Sequence, residues 1–419
     1  MTARIIRDIN DVDEKALSMT LDTLVSRHES LRTVFLSRGE MVLQKICSAD
    51  TFMPALTIHD IRKQENKDEQ IKKIIHDLSI YRFDFEKEPS FKCKLIKYGE
   101  DKYVFIFVID HIIYDAHSLQ VVEEELLMIY DAYSKGLPNP LEPLKAQLKD
   151  FSIFCQRHYE GDRLTYHKTY FRNLNNDLPQ RLKIKPNNCA ATINFEAKGI
   201  DEHNLVLTED SKGGVYNFSI SEDFLRKIHI FSSEMKITFF NFMLATYSIF
   251  LSRVTFQKDL IIDSPMSTRR KEEHLRIIGW LTGTLVTRIR VDENASFKDL
   301  IKICFNALVE ALDHIYYQSS EDVLNLDWFL IATQLNVLND INTAEDILED
   351  FCPCHVDIDD VSFNLTFLMK AFKNGLLITC TYKKSFIDKR QIADVCGKFL
   401  EVLNMAINSP ESKIKDWKN

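Results

Sequence analysis

The sequence reads Val108-Ile109-Asp110-His111-Ile112-Ile113-Tyr114-Asp115-Ala116-His117-Ser118 at the point where a long apolar run gives way to polar residues. The apolar run, residues 103–109, predicts a strand that is buried on both faces, and residues 119–135 predict a helix that follows it. Because a buried strand holds its carboxyl end rigidly, the His and the two Asp side chains there are held more firmly than on an exposed loop. We therefore expect this stretch to carry the chemistry of the protein.

Composition indicates a globular protein with two domains. The 419 residues are 45% hydrophobic, which is enough material for a core in each of two domains of ordinary size. The formal net charge is -9, and the 53 Lys and Arg residues form no basic stripe, so a nucleic-acid partner is disfavoured. No apolar run reaches the roughly 20 residues that span a bilayer, and the N-terminus has no signal-peptide core. We expect a cytoplasmic protein without a membrane partner.

The nine cysteines predict buried thiols rather than disulfides, because their number is odd and most of them lie inside apolar runs. Cys352-Pro353-Cys354-His355 has metal-ligating side chains, but no second pair follows at the spacing of a zinc site. We expect no metal ion there.

Hydrophobic periodicity predicts helices that alternate with strands in both halves of the chain, which is an α+β fold. The predicted helices cover residues 13–31, 66–80, 119–135, 221–235, 239–254, 297–315 and 388–407. The predicted strands cover residues 33–36, 91–99, 102–109, 214–220, 259–263, 285–291 and 376–382. Ser118 is the predicted N-cap of the third helix, and Gly136 is its predicted stop.

Residues 173–212 are polar and lack sustained periodicity, which is typical of a connection between domains. We predict an N-terminal lobe over residues 1–175, which carries the 110–118 stretch. A connection over residues 176–212 and a C-terminal lobe over residues 213–419 would follow it.

Five segments of the chain resemble, in the same order, conserved segments of the condensation domains of nonribosomal peptide synthetases. These domains belong to the chloramphenicol-acetyltransferase-like superfamily of thioester-dependent acyltransferases. The segments, each with the family pattern that it resembles, are Ser26 to Phe35 (RHExLRTxF), Asp110 to Ala116 (HHxxxDG), Leu148 to Ser152 (YxDFA), Ser264 to Arg269 (GxPxxxR) and Ile278 to Leu285 (IGxFVNTL). The resemblance extends over nearly the whole chain.

The resemblance implies two pseudo-symmetric lobes arranged in a V around a central tunnel, with the signature loop near its middle. It implies donor and acceptor carrier proteins as partners, each presenting an acyl group on a phosphopantetheine arm, and adjoining synthetase domains as further partners. The implied reaction is attack of an acceptor amine, or of a hydroxyl, on the donor thioester, which gives an amide or an ester. The chain itself is expected to bind no cofactor.

His111 aligns with the second His of the family signature, which lies at the reaction centre. A neutral imidazole can accept a proton from the attacking group or hold that group by a hydrogen bond, so His111 is the predicted catalytic residue. Asp115 aligns with the signature Asp, for which the resemblance implies a structural role as the partner of a buried Arg. That Arg is expected to be Arg269, with Arg270 as the second choice.

Three positions depart from the family patterns. Asp110 replaces the first His of the signature, Ala116 replaces its final Gly, and Gly283 replaces an Asn. Asp110 either faces His111, where a carboxylate favours the imidazolium, or turns away onto backbone donors. If position 116 required a positive φ, the methyl group of Ala116 would cost stability or narrow the tunnel. These departures favour an unusual substrate or a reduced activity.

Further candidates for the tunnel wall flank the two central segments: Ala116, His117, Ser118, Gly283 and Trp280. Some of them also have structural interpretations. His117 fits a solvated side chain, Ser118 fits a helix cap, and Trp280 fits an aromatic residue of the core.

Three alternatives stay open. Asp110, Asp115 and Ser118 also fit the DxxxxDxxS pattern of heterocyclisation domains, which condense and then cyclise Cys, Ser or Thr acceptors. The departures from the signature would equally suit a docking module that keeps the fold without catalysis. The third alternative is an acyltransferase that uses coenzyme A thioesters and a small soluble acceptor, as other members of the superfamily do.

The chain begins about 25 residues later than the family pattern and ends near the point where such a domain closes. We expect a stand-alone enzyme or one domain of a larger synthetase. Its N-terminal lobe would be trimmed, or another segment would replace the missing strand.

Overall fold

The computed structural model describes residues 2–51, 56–179, 182, 213–317, 332–338, 363–372, 375–388 and 390–417. These residues form two compact units. The first unit contains the described residues up to Arg157 together with Ser267–Thr282, and the second unit contains the rest. The predicted lobe boundaries stay a prediction, because most of the connection lies outside the described residues.

The first unit is built on a four-stranded sheet and a two-stranded hairpin. Its elements are β1 (Thr2–Asn10), α1 (Glu14–Arg27), β2 (Thr33–Arg38), β3 (Met41–Ile46), β4 (Thr57–Asp60), α2 (Lys67–Ser79), β5 (Phe91–Lys97), β6 (Lys102–Asp110), α3 (Ala116–Ser134) and α4 (Leu148–His158). The sheet has the order β1-β6-β5-β4, in which β6 runs antiparallel to both neighbours and β4 runs parallel to β5. Strands β2 and β3 pair with each other.

Strand β6 is buried on both faces, which confirms the prediction from its apolar run. Phe105, Phe107 and Ile109 pack with residues of α1 and α3, whereas Ile106 and Val108 pack on the α2 side. Since successive side chains of a strand point to opposite faces, only an uninterrupted apolar run can fill both cores. The strand therefore fixes the position of the polar residues that follow it.

Helix α3 begins earlier than predicted. It starts at Ala116, and its N-cap is Asp115, whose side chain accepts a hydrogen bond from the backbone N–H of Ser118. The prediction that Ser118 is the N-cap is therefore wrong, because a carboxylate three residues earlier already satisfies that N–H. The prediction for the other end is confirmed: Gly136 follows the C-cap Lys135 with a φ of 70°, a conformation that glycine adopts without strain.

The second unit is built on a six-stranded mixed sheet. Its elements are α5 (Gly161–Leu174), β7 (Gly213–Ser221), α6 (Glu222–Met235), α7 (Phe239–Thr255), β8 (Asp259–Ser267), β9 (Thr282–Arg290), α8 (Phe297–Asp313), β10 (Ala332–Leu338), β11 (Leu365–Phe372), β12 (Gly375–Lys383) and α9 (Ile392–Asn408). The strand order is β7-β12-β11-β10-β8-β9. Strand β10 runs parallel to β11 and to β8, and β12 runs antiparallel to β11 and β7.

Helix α7 forms the centre of this second core. It is apolar on nearly all sides and buried from Asn241 to Ser252, as expected of a helix that contacts protein all round. Tyr247 and Phe250 of α7 pack against Phe367 of β11 and Phe399 of α9.

Both units combine helices with sheet, so the α+β prediction is confirmed. Most predicted elements are found within a few residues of their predicted bounds, although the last helix begins at Ile392 rather than at residue 388. Strands β1, β3, β4, β10 and β11 and helices α4 and α5 were not predicted. The V arrangement and the tunnel stay predictions.

In the described part of the chain, no single helix has the length and apolar character needed to cross a membrane, and only the pair α6 and α7, bent by 106°, would have them by length and composition alone.

Candidate active site

The loop that follows β6 is shaped by its own side chains. After Asp110 the chain makes a single 3-10 turn, His111–Ile113, and Tyr114 returns it to an extended conformation. The Asp110 carboxylate accepts a hydrogen bond from the backbone N–H of Ile112 at 3.0 Å. Of the two orientations considered for Asp110, the structure therefore has the one that contacts a backbone donor.

The hydrogen bond of His111 defines which ring nitrogen is available for chemistry. Nδ1 lies 2.9 Å from the carbonyl oxygen of Tyr114. Because a carbonyl oxygen can only accept, Nδ1 carries the proton, and Nε2 of the neutral ring has the free lone pair. The side chain is half-buried, so a substrate atom can approach it.

Two aromatic rings stack on the imidazole of His111. The ring centroid of Trp280 lies 4.4 Å away with an interplanar angle of 16°, and that of Tyr114 lies 4.6 Å away with an angle of 23°. Tyr114 is buried, whereas Trp280 is 53% exposed. Sequence reasoning named Trp280 as a candidate for the tunnel wall but did not predict that either ring contacts His111.

Asp115 and Arg269 form a bidentate ion pair inside the first unit. The two guanidinium nitrogens of Arg269 donate to the two carboxylate oxygens at 2.7 and 3.0 Å. Both side chains are almost completely buried, with exposed fractions of 3% and 1%. The residue predicted as the first choice thus contacts Asp115, whereas Arg270 is exposed.

Other donors complete the surroundings of the Asp115 carboxylate. It accepts from the backbone N–H and hydroxyl of Ser118 at 2.9 and 2.8 Å, from the N–H of Leu281 at 3.0 Å and from the hydroxyl of Thr282 at 3.3 Å. Burial acts to raise the pKa of Asp115, but Arg269 and Ser118 outweigh it and hold the pKa below its ordinary value. The carboxylate is therefore ionised, and both of its oxygens are hydrogen-bonded.

Ser118 connects the same cluster to the backbone around Gly279. Its hydroxyl lies 2.9 Å from the carbonyl oxygen of Gly279 and accepts from the N–H of Gly279 at 3.1 Å. Arg269 also donates to the carbonyl oxygen of Ile277 at 3.0 Å. A side chain at position 279 would meet Leu148, since an added Cβ would lie 2.7 Å from its Cδ1.

The segment Ser267–Thr282 is attached to the rest of the first unit by further contacts. The hydroxyl of Ser30 donates to the carbonyl oxygen of Ile278 at 2.5 Å. Nε2 of His117 lies 2.8 Å from the carbonyl oxygen of Leu275, so His117 is a structural contact rather than a freely solvated side chain. Sequence reasoning missed Ser30, although it lies inside one of the quoted segments.

A second polar cluster lies behind the loop, where α1 meets α3. Nε2 of His28 lies 2.7 Å from the carboxylate of Glu125, which also accepts from Arg27 at 3.0 Å. Burial lowers the pKa of His28 in spite of this neighbour, so the ring is predominantly neutral near pH 7. Glu125 was not predicted, because one Glu in an amphipathic helix gives no signal of burial.

The remaining predicted positions lie as follows. Ala116 is exposed in the first turn of α3 and is not among the described residues with positive φ, so its methyl group causes no backbone strain. Gly283 is buried on β9 and belongs to the second unit. The described residues contain no group of three or more His, Cys, Asp or Glu side chains placed to hold a metal ion, and Cys352 to His355 lie outside the described residues.

Comparison with known proteins gives one family over almost the whole chain. The sequence model of that family, described as Condensation domain, matches residues 6–418. Malpibaldin synthetase from Mortierella alpina is 28% identical over 300 residues, which are 72% of this chain and 5% of the synthetase. Bacitracin synthase 1 from Bacillus licheniformis is 25% identical over 415 residues, which are 96% of this chain and 7% of the synthase. The chain thus spans only 5% and 7% of the lengths of these two relatives.

Solved structures share the fold at low sequence identity. The X-domain from teicoplanin biosynthesis has a TM-score of 0.77 and 18% identity, with 100% of this chain and 92% of that domain covered. The first condensation domain of the CDA synthetase has a TM-score of 0.69 and 14% identity, with 99% of this chain and 92% of that domain covered. These likenesses show that the described fold occurs in both proteins.

Proposed function

Because the chain belongs to the condensation domain family, we propose that it joins an acyl or peptidyl group to an acceptor amine or hydroxyl in the synthesis of nonribosomal or hybrid polyketide products. The donor would be a thioester on the phosphopantetheine arm of one carrier protein, and a second carrier protein would present the acceptor. Adjoining synthetase domains are further proposed partners. The observation that carries the proposal is that the His111 side chain is half-buried, with Nδ1 held by the carbonyl of Tyr114 and Nε2 without a hydrogen-bond partner among the described residues.

The chemistry proposed for His111 follows from its tautomer. Nε2 accepts the proton of the acceptor N–H or O–H as that atom attacks the thioester carbon. The tetrahedral intermediate then collapses, the carbon–sulfur bond breaks, and the imidazolium returns the proton to the departing thiolate. One amide or ester bond forms, one thioester bond breaks, and the imidazole is again neutral.

Asp115 is proposed to stabilise the site and to take no direct part in the reaction. Its carboxylate oxygens are taken up by Arg269, Ser118, Leu281 and Thr282, and it is 2% exposed. A carboxylate in this state is not available to a substrate. Its proposed role is to hold the start of α3 against the 277–282 backbone.

The same contacts argue against heterocyclisation. In that alternative Asp110, Asp115 and Ser118 would form the reactive set. The hydroxyl of Ser118 is completely buried and lies among Asp115, Arg269 and Gly279. Asp110 contacts the backbone of its own turn.

The second candidate function is a docking module without catalysis. It is favoured by Asp110, which stands where the family signature has its first His. A solved structure is described as the complex of the X-domain and OxyB from teicoplanin biosynthesis, so a related fold binds a partner protein there. This candidate predicts carrier binding without product.

The test uses intact-protein mass spectrometry. A panel of acyl-loaded carrier proteins would be mixed with amine, hydroxyl and cysteinyl acceptors, with and without the protein. His111→Ala is the test variant, and His59→Ala, on the exposed strand β4, is the matched control. Transfer by wild type and by His59→Ala but not by His111→Ala would support the proposal.

Other outcomes of the same experiment would support one of the alternative functions. An additional loss of one water with cysteinyl acceptors would indicate heterocyclisation. Transfer from coenzyme A thioesters without a carrier protein would indicate a free-standing acyltransferase. Carrier binding with every donor left intact would support the docking module and contradict the catalytic proposal.

A further inference from the structure

The imidazole of His111 is covered on both faces. Trp280 and Tyr114 each lie nearly parallel to it, with centroids 4.4 and 4.6 Å away. Two rings stacked so closely on one face of the imidazole would overlap each other, so they take opposite faces. Among the described residues, the edge of the imidazole is the part that no ring covers, and its Nδ1 side is occupied by the carbonyl of Tyr114.

Trp280 is itself held by the buried ion-pair cluster. The preceding residue, Gly279, donates to the hydroxyl of Ser118, and the following residue, Leu281, donates to the carboxylate of Asp115. The indole N–H donates to the carbonyl oxygen of Thr282 at 3.1 Å. Both the backbone and the ring of Trp280 are therefore fixed.

Core packing does not explain this placement. Trp280 is 53% exposed, whereas Leu281 beside it is 1% exposed and fills the core position of the segment. A large aromatic side chain that keeps half of its surface in solvent gains only part of the stabilisation that full burial would give. Its close contact with His111 is the feature that needs an explanation.

We propose that Trp280 and Tyr114 clamp His111, and that Trp280 transmits the rigidity of the Asp115–Arg269 ion pair to the imidazole. Tyr114 supplies one face and the carbonyl that fixes Nδ1, and Trp280 supplies the other face. Trp280 is thus a positioning residue. The inference rests on the proposed catalytic role of His111, and it explains how Asp115 influences the reaction without touching substrate.

If Trp280 clamps His111, removal of the indole should allow the imidazole to move. In Trp280→Ala the imidazole can rotate, and a displacement of about 1 Å lowers the rate by up to about 100-fold. We expect kcat to fall by roughly 10- to 100-fold with KM changed by less than about threefold. Trp280→Phe keeps a stacked ring and should retain most of the wild-type kcat.

The direct test is nuclear magnetic resonance of the full chain with isotope-labelled histidine, with the His111 signals assigned from His111→Ala. Ring currents of two stacked rings shift the ring protons of His111 upfield of those of the exposed His59. We expect Trp280→Ala to move them back downfield and Trp280→Phe to keep them shifted. Leu275→Ala removes an exposed apolar side chain of the same segment and should change neither the signals nor kcat.

Several results would overturn the inference. One is an unchanged His111 spectrum in Trp280→Ala. Another is a raised KM with unchanged kcat, which would make Trp280 a substrate contact instead. An equal loss of kcat in Trp280→Phe and Trp280→Ala would exclude stacking as the cause. Since the spectrum needs no turnover, it decides the clamp even for a protein that fails the transfer assay.

Discussion

Each oxygen of the Asp115 carboxylate accepts three hydrogen bonds, so the local structure depends strongly on this residue. Asp115→Asn leaves the guanidinium of Arg269 buried without its counter-charge. We expect the free energy of unfolding to fall by about 3–5 kcal/mol, as for other buried pairs that lose one partner. Urea unfolding of the folded protein measures this change.

Two further variants serve as controls for the unfolding measurement on Asp115→Asn. The double variant Asp115→Asn with Arg269→Met removes both charges and should recover part of the loss. Arg276→Gln breaks the exposed ion pair with Glu124 and should cost at most about 1 kcal/mol. A loss in Asp115→Asn no larger than in Arg276→Gln would contradict the structural role.

Asp263 on β8 is a buried carboxyl whose replacement should raise the free energy of unfolding, whereas replacement of Asp115 should lower it. Burial raises its pKa to about 7, although Gln334 donates a hydrogen bond to one oxygen, and the other oxygen has no partner among the described residues. The folded state therefore binds a proton that the unfolded state releases near pH 4, so this residue lowers stability as pH rises from about 4 to 7.

Asp263→Asn removes the ionisable group at nearly constant shape. We expect the variant to exceed wild type in free energy of unfolding by on the order of 1–3 kcal/mol at pH 8, with a much smaller difference at pH 4. Chemical unfolding at the two pH values tests this. The same difference at both would show that Asp263 ionises normally.

At the residue level, the prediction succeeded where the resemblance to a known family implies a partner. Asp115 and Arg269 lie in two recognisable segments, and the structure brings them together. Trp280 could be named but not placed, because the orientation of a ring depends on packing that no local pattern encodes. Ser118 was misassigned because Asp115 and Ser118 are both residue types that cap helices, and the sequence pattern did not distinguish them.

The packing of α5 against the end of α8 contains a buried histidine pair. Nδ1 of His167 lies 2.7 Å from Nδ1 of His314, and Tyr170 stacks on His314 at 3.8 Å. One nitrogen must donate and the other accept, so the pair cannot hold a proton on both. Burial, together with His167, lowers the pKa of His314 to about 4, and burial also lowers the pKa of His167.

These shifts predict acid sensitivity at the contact between the two helices. The unfolded chain protonates His314 near pH 6.5, and the folded chain does so only near pH 4. The stabilisation is thus complete above about pH 6.5 and is lost as pH falls towards 4. We expect wild type to lose on the order of 1–2 kcal/mol more than His314→Gln over this range.

Urea unfolding between pH 7.5 and pH 4 checks the histidine pair. His59→Ala serves as the control, since His59 lies on an exposed strand and should leave the pH profile unchanged. Parallel profiles for wild type and His314→Gln would show that the pair does not respond to pH.

At the level of elements, most of the strongly apolar segments were predicted, whereas helices α4 and α5 and several strands were not. Helix α7 and strand β6 have long apolar runs that are buried in the structure, and both were predicted. Strands β3 and β4 are exposed at every described position, so they lack the alternation of a half-buried strand. Strand β1 is formed by pairing with β6 along its whole length, which is a non-local effect.

At the scale of the whole molecule, the family fold is present although the signature differs from the family pattern at two positions. Asp110 replaces a family His, yet its carboxylate takes a structural position at the turn. Ala116 replaces a family Gly at a position where the backbone is helical. The family could be inferred from five short segments, whereas the substrate could not, because dispersed contacts rather than a motif determine it.

We propose that His111, held by its two aromatic neighbours, accepts the proton of the attacking group. The most direct measurement is the single-turnover rate of acyl transfer from a loaded donor carrier protein for wild type and His111→Ala, with carrier binding measured in parallel. We predict a loss of about 100- to 10,000-fold in rate with unchanged binding. Equal rates for the two proteins would contradict the claim.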